Sequence, residues 1–420
     1  MNRKFRHFAF SLLSFGIAAT GLTGCSEMHD KLPDCPEGLY VRFVYDYNTV
    51  QTNGISANLF NDHVGHIQLY VFGEDGQLVA SRTVSNSATA SPLADYNFNI
   101  HFTPEEVPAG HSYRLQAIAL NKDWEEALAT EGAKYRITSS PAEHENNLVV
   151  SLDHAETHTI TNDAGEPLYD VDASQPLDIF WHTLTVMPHA PVDSPVVPPL
   201  DRTPANFNPY PADDHRVVVE SEKATYATVS LIRDTKHLTI GLHQTDPSYK
   251  AEISADKFDV TIEDANCSVD HANTVSNEHK LLYTPYASWT VRLNGDGTTD
   301  IENPNVPLAR TSSEDVLERQ AHYNIMFNRL MLNDNNDAAE NAMLKIREKE
   351  TGKLIMNLNL PHYLSMGRDA YALQNYSHQE YLDREHDYHL DLFLSGDRFI
   401  ALEIHVLSWS KRIQNVDFSK

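Results

Sequence analysis

The residue with the plainest chemistry is Cys25, which closes the run Leu22-Thr23-Gly24-Cys25. A large aliphatic residue, two small residues and a thiol form the lipobox pattern: the small residues fit a signal peptidase, and the thiol takes a diacylglycerol. Upstream, Arg3, Lys4 and Arg6 form a basic region, and Phe8 to Leu22 is uncharged and mostly apolar. That run is about 15 residues long, whereas a membrane span needs roughly 20, so it reads as the apolar core of a secretory signal. Residues 1–24 are therefore expected to be a removed signal peptide, with lipid on Cys25. One acyl chain binds a membrane only marginally, so the two or three of a lipoprotein make the attachment effectively permanent. Ser26 rather than Asp follows the cysteine, and Glu27 and Asp30 lie just beyond. The expected location is the outer membrane, lipid-anchored and facing the cell exterior.

Other reactive side chains form no recognisable catalytic set. There is no GxSxG, Gly352-Lys353 lacks the rest of a phosphate loop, and Gly295-Asp296-Gly297 lacks the third glycine of a dinucleotide fingerprint. His154-Ala-Glu156-Thr-His158 is HxExH rather than HExxH and adjoins a strand pattern, where helical ligand spacing has no meaning. His378, His386 and His389 lie in a charged segment that reads as a solvated loop. Asn294 to Glu302 resembles a calcium loop but has Arg292 where the first acidic ligand belongs, so a hairpin turn is expected. Trp124, Trp181, Trp289 and Trp409 are candidates for a sugar platform, but three lie on strand-like runs and are assigned to packing. Paired carboxylates of glycosidase type cannot be singled out among 59 acids. No cofactor, metal or catalytic residue is assigned. Cys35 and Cys267 are the remaining cysteines and are expected to stay unpaired, without CxxC or zinc spacing.

The net charge of −27 becomes three charges more negative once residues 1–24, with three cations and no acid, are removed. So acidic a surface is solvated and excludes nucleic acid as a partner. The length of 420 residues allows two or three domains.

Period-two alternation dominates the chain. Leu39, Val41, Phe43, Tyr45 and Tyr47 alternate with other residues, and His66–Phe72 and Gln77–Val84 flank an Asp-Gly turn as a hairpin. Further strands are expected at 97–102, 112–120, 148–152, 177–187, 216–242, 257–264, 388–394 and 399–409, with a hairpin about Thr351-Gly352. Short helices are expected at Lys122–Thr130 and, capped by Ser312, through Gln320. Eight prolines crowd residues 188–211 and deny the backbone donors. The expected organisation is a signal peptide at 1–24, an N-terminal domain at 25–195, a proline-rich linker or long loop at 196–214, and a C-terminal domain at 215–420. Many short strands and few helices argue for all-β sandwiches.

Several segments resemble the Bacteroidia-type fimbrial anchor lipoproteins. They are Cys35-Pro36-Glu37-Gly38-Leu39 with its strand through Asn48, His66 to Val79, Phe258 to Asp270 with Asn273, and Gln379 to Glu385 before the strand Tyr388–Leu394. They occur in family order and, with the lipobox, cover the chain from Cys25 to its end. Cys267 stands where glycine is expected, and the proline excursion looks long. The resemblance implies two tandem transthyretin-like β-sandwich domains. It also implies a non-enzymatic subunit that fixes a fimbrium to the outer membrane, limits its length and joins fimbrial structural subunits by β-strand addition. Alternatives are a stalk or tip subunit of such a fibre, or a surface glycan-binding lipoprotein. A polymerising subunit loses its lipidated end to proteolysis. Here the first arginine after Cys25 is Arg42, inside a strand pattern.

Overall fold

A computed structural model describes residues 36–52, 55–138, 143–158, 160–188, 216–276, 278–302, 316–333, 341–370, 373–406 and 409–414. Cys25, Cys35, the signal segment and most of the proline-rich excursion lie outside them. The fold is all-β, as the alternation predicts. The first sheet runs Leu78–Ser85, His66–Phe72, Ser112–Leu120, Phe180–Pro188, Ala224–Arg233, Gly38–Val44, Ile100–Phe102. Ser112–Leu120 is its corner: its first residues pair with Arg216–Val218 and its last with Phe180–Pro188. The sheet therefore folds over on itself as a sandwich. Leu39, Val41 and Phe43 meet Ile67, Leu69, Leu115, Val229 and Leu231 in one buried cluster. Each such side chain contributes about 1.5–3 kcal/mol on burial. The opposite face of the same strands, Tyr70, Phe72, Ile118 and Leu120, belongs to the core of the second sandwich. Burial on both faces explains why His66–Phe72 is apolar almost throughout.

The second sandwich packs a seven-stranded sheet on a six-stranded one. Leu238, Ile240 and Leu242, Tyr323 and Ile325, and Leu390 and Leu392 share its core with Val260, Ile262, Leu344, Ile346 and Leu358. The hairpin about Gly352 joins Met343–Glu348 to Leu354–Asn359, and Gly352 takes φ 69°, the left-handed conformation glycine permits. The helix expected near Lys122 is Trp124–Ala129, capped by Asp123, whose carboxylate accepts from the amides of Glu125 and Glu126. No helix among the described residues is long and apolar enough to cross a membrane.

Two expectations need correction. The proline-rich segment does not separate the sandwiches. It connects Phe180–Pro188 toward Arg216–Val218 and Ala224–Arg233, all strands of the first sheet. The crossing into the second sandwich falls at Asp234-Thr235, between Ala224–Arg233 and Lys236–Gln244. In exchange, Val150–Leu152 pairs with Ser268–Val269, and Pro167–Asp170 runs parallel to Lys280–Tyr283. Proline composition marks a long connection within one sandwich, whereas strand pairing decides which unit a segment joins. Secondly, the helix expected through Gln320 is replaced by the strand Val316–Phe327 over its described part. Pairing with both Ala287–Asn294 and Lys236–Gln244 outweighs a local capping preference.

Candidate functional site at the junction of the sandwiches

Three of the segments that carry the family resemblance, the first strand, Phe258 to Asn273 and Gln379 to Glu385, meet at one buried polar junction. The first strand leaves the first sheet at Val44 and continues as Tyr45-Asp46-Tyr47-Asn48-Thr49. Thr49 Oγ1 donates to Glu385 Oε2 at 2.9 Å, and Tyr45 Oη lies 3.2 Å from His386 Nδ1. Glu385 ends the helix His378–Arg384, which is capped by Ser377 and buried from Glu380 to Arg384. Burial raises the Glu385 carboxyl, but the amides of Asp387 and His386 and the Thr49 hydroxyl favour its charged form. Burial also lowers His386, so this imidazole is neutral at physiological pH.

Arg329 is the centre of the junction. Its Nε and Nη2 donate to Asp383 Oδ1 and Oδ2 at 2.8 and 2.9 Å, and its Nη1 donates to the Asn273 carbonyl at 3.0 Å. Both side chains of this ion pair are fully buried. Lys236 Nζ donates to the carbonyls of Asp383 and Glu385 at 2.7 and 2.8 Å. Its burial lowers the ammonium, and burial likewise raises neighbouring Asp234. Arg384 lies over the rings of Tyr47 and Tyr376, 4.1 and 4.6 Å from their centroids, and donates to Glu380. A second strip adjoins it. Tyr135 Oη donates to Asn328 Oδ1, Asn328 Nδ2 to the Asn266 carbonyl, and Tyr283 Oη to Asn266 Oδ1. Asn266 Nδ2 donates to Asp264 at 2.7 Å, and burial pushes the Asp264 carboxyl up to about 7.

This arrangement joins the two sandwiches. Arg329, Asp383 and Lys236 are held by one another and by backbone carbonyls, and all three are buried. Removing one partner of a buried pair costs about 3–5 kcal/mol because it strands the other charge. Gly38–Val44 also lies alongside Ala224–Arg233 in parallel over its whole length, and Ala224–Arg233 leads into the junction.

A second polar cluster lies on the outer face of the second sandwich. His243 Nε2, His389 Nε2 and His405 Nε2 surround Asp391 at 2.9, 3.3 and 2.8 Å. Burial opposes ionisation of Asp391, but the imidazoles of His243 and His389 outweigh it and hold the carboxyl far below its usual range. His389 is the member of the charged segment that the sequence groups with His378 and His386. The structure parts them: His378 bonds Ser365, His386 joins the junction, and His389 faces outward on the strand Asp387–Ser395. His389-Leu-Asp391 and Glu403-Ile-His405 are i, i+2 pairs on adjacent strands. That pattern was available in the sequence, but the register joining His405 and His243 to it was not.

The profile of the fimbrillin-A associated anchor proteins Mfa1 and Mfa2 matches residues 32–181 and 211–415. The chain belongs to this family. The stretch left unmatched coincides with the proline-rich excursion. Among solved structures, a candidate adhesin from Bacteroides thetaiotaomicron is similar with TM-score 0.60 and 22% identity, covering 91% of this chain and all of that one. A candidate polysaccharide-binding protein from the same species gives TM-score 0.57 and 19% identity, covering 90% and 99%. The fimbrial anchor Mfa2 of Porphyromonas gingivalis gives 0.49 and 14%, covering 90% and 99%. The likeness to the first two shows a shared fold. No curated protein sequence matches significantly.

Membership of the anchor family gives the remaining candidates a context. Cys25 lies outside the described residues, but the 13 peptide units between it and Gly38 reach at most about 45 Å. Cys267 is buried and, among the described residues, free. His154 bonds the Leu152 carbonyl and packs edge-on to Tyr169, while Glu156 and His158 are exposed, so the three form no ligand set. Asn294–Glu302 is the expected hairpin: Gly297 has φ 83°, and Asp300 is taken by Arg292 at 2.7 Å. Trp181 is in the first core, Trp124 packs against the second, and Trp289 stacks on His322. Among the described residues these three make no common platform.

Proposed function

We propose that this protein is the membrane-attached base of a fimbrium, an anchor without enzymatic activity. The observation that carries the reading is the match to the anchor-family profile on both sides of the proline excursion. Lipid on Cys25 supplies the grip on the outer membrane, the acidic body stands outside on the cell surface, and the anchor limits fibre length. Arg42 supports an anchor over a stalk or tip subunit. It lies within the strand Gly38–Val44, opposite Thr228, and its Nε donates to Thr228 Oγ1 at 2.9 Å. An arginine-specific protease needs a free extended segment, so a terminus held in this way stays attached.

Fimbrial subunits join by adding a strand to an open edge. Leu78–Ser85 and Leu354–Asn359 are terminal strands of their sheets among the described residues. The first has one charge, Arg82, held by Glu106 at 2.6 Å, and the second has none. By contrast, the edge strand Trp409–Gln414 carries Lys411 and Arg412, charges that guard an edge. Deleting the gene should leave fimbriae assembled but shed into the medium and longer. Cys25→Ala should reproduce the shedding with fold and subunit binding intact. Cells without the protein that keep surface fimbriae of normal number and length would overturn the proposal.

A further inference from the structure

We infer that the outer face of the second sandwich holds a site for a divalent transition-metal ion of the zinc class, ligated by His389, Asp391 and His405. The donor atoms of these three side chains all lie within 4.8 Å of one another. They come from adjacent antiparallel strands, with His389 directly opposite His405. A tetrahedral ion with nitrogen and oxygen ligands at about 2.0–2.2 Å needs donors roughly 3–3.5 Å apart. Asp391 stands 3.3 Å from His389 Nε2 and 2.8 Å from His405 Nε2, so a small spreading admits the ion.

Three details separate this cluster from an ordinary surface ion pair. His405 Nε2 is shut off from solvent and makes no hydrogen bond, although it lies 2.8 Å from Asp391 Oδ2. The contact is off the hydrogen-bond axis, as suits a nitrogen aimed at a shared third atom. The carboxylate is also held from behind: His243 Nε2 bonds Asp391 Oδ1 at 2.9 Å, and the His243 ring is stacked on Phe393. Such a bond orients a ligand and tunes its basicity. Finally, Gly241 makes the room. A Cβ there would stand 2.2 Å from Asp391 Oδ1 and 3.0 Å from His243 Nε2. The backbone of Lys236–Gln244 thus leaves a cradle in which Asp391 leans across toward the histidines. Neutral imidazoles with a carboxylate select zinc-like ions over calcium or magnesium, which prefer oxygen alone. His405 Nε2 is covered, whereas His389 is partly exposed, which gives the ion a path in from that side and leaves its fourth position to water.

The test uses the full-length protein, purified in detergent without a polyhistidine tag and stripped with chelator. Titration with zinc chloride by calorimetry should give one ion per chain and raise the Tm. Cobalt(II) should give the visible absorption of a four-coordinate site. His389→Ala/His405→Ala should abolish stoichiometric binding with an unchanged metal-free Tm. Asp391→Asn, near-isosteric, should do the same if the double variant folds poorly. His243→Ala should weaken binding about 10-fold or more, and Gly241→Ala should also weaken it. Absence of stoichiometric zinc binding by the native chain, or binding unchanged in the double variant and in Asp391→Asn, would overturn the inference.

Discussion

The junction and the outer-face cluster each gather nitrogen donors round a carboxylate and behave in opposite ways. At the junction, Arg329 and Asp383 are fully buried, and both carboxylate oxygens and the guanidinium are satisfied by named partners. On the outer face, three imidazoles compete for one aspartate, two of them are partly exposed, and one nitrogen is left without a hydrogen bond. A closed, saturated network specifies how elements fit together, because any loss strands a buried charge. An open, crowded one has capacity to spare for a ligand. A carboxylate among nitrogen donors is common to both; burial and bonding separate them.

The sharpest way to break this contrast is to open the junction. Arg329→Met should destabilise the protein by about 3–5 kcal/mol, read from urea unfolding, because Asp383 is left buried and unpaired. Replacing both partners, Arg329→Met with Asp383→Leu, should recover much of that loss. If Arg329→Met alone changed stability by less than about 1 kcal/mol, the junction would not be the closed network described.

Asp264 gives the next largest effect, and its sign is set by burial. Its folded carboxyl is pushed up to about 7, above the unfolded value of 3.8. Its contribution is therefore fully present below about pH 4, falls as the pH rises toward 7 and stays lost above it. Asp264→Asn, which keeps an oxygen for Asn266 Nδ2, removes that loss. The variant should gain on the native chain with rising pH, by on the order of a few kcal/mol at pH 8. A stability difference independent of pH between 4 and 8 would show that Asp264 titrates normally.

The alternation that built the sheets was plain in the sequence, since Leu39, Val41 and Phe43 or Leu390, Leu392 and Leu394 each mark a buried face. The chain's exchange between sandwiches was not, because it depends on pairings such as Val150 with Val269 that no local pattern encodes. Prolines 188–211 suggested a boundary because they interrupt strand formation, yet an interruption within a sandwich looks the same. The segment Gln379–Glu385 was legible as a landmark and not as a buried helix. Its carboxylates satisfy Arg329 and Thr49, and its carbonyls satisfy Lys236, all far away in sequence.

The smallest expected effect completes the comparison. Metal-free His405→Ala should shift stability by no more than about 0.5 kcal/mol, as for a surface residue away from packing. A loss of several kcal/mol in thermal or urea unfolding would make the outer cluster a structural element like the junction.

The most direct test of the anchor itself is to solubilise outer membranes in detergent, capture this protein and identify what accompanies it by mass spectrometry, including its own mature N-terminus. The account predicts fimbrial subunits as the principal companions and a diacylglycerol-modified Cys25 as the first residue. Glycan-transport proteins in place of fimbrial subunits, or an unmodified terminus at another residue, would contradict it.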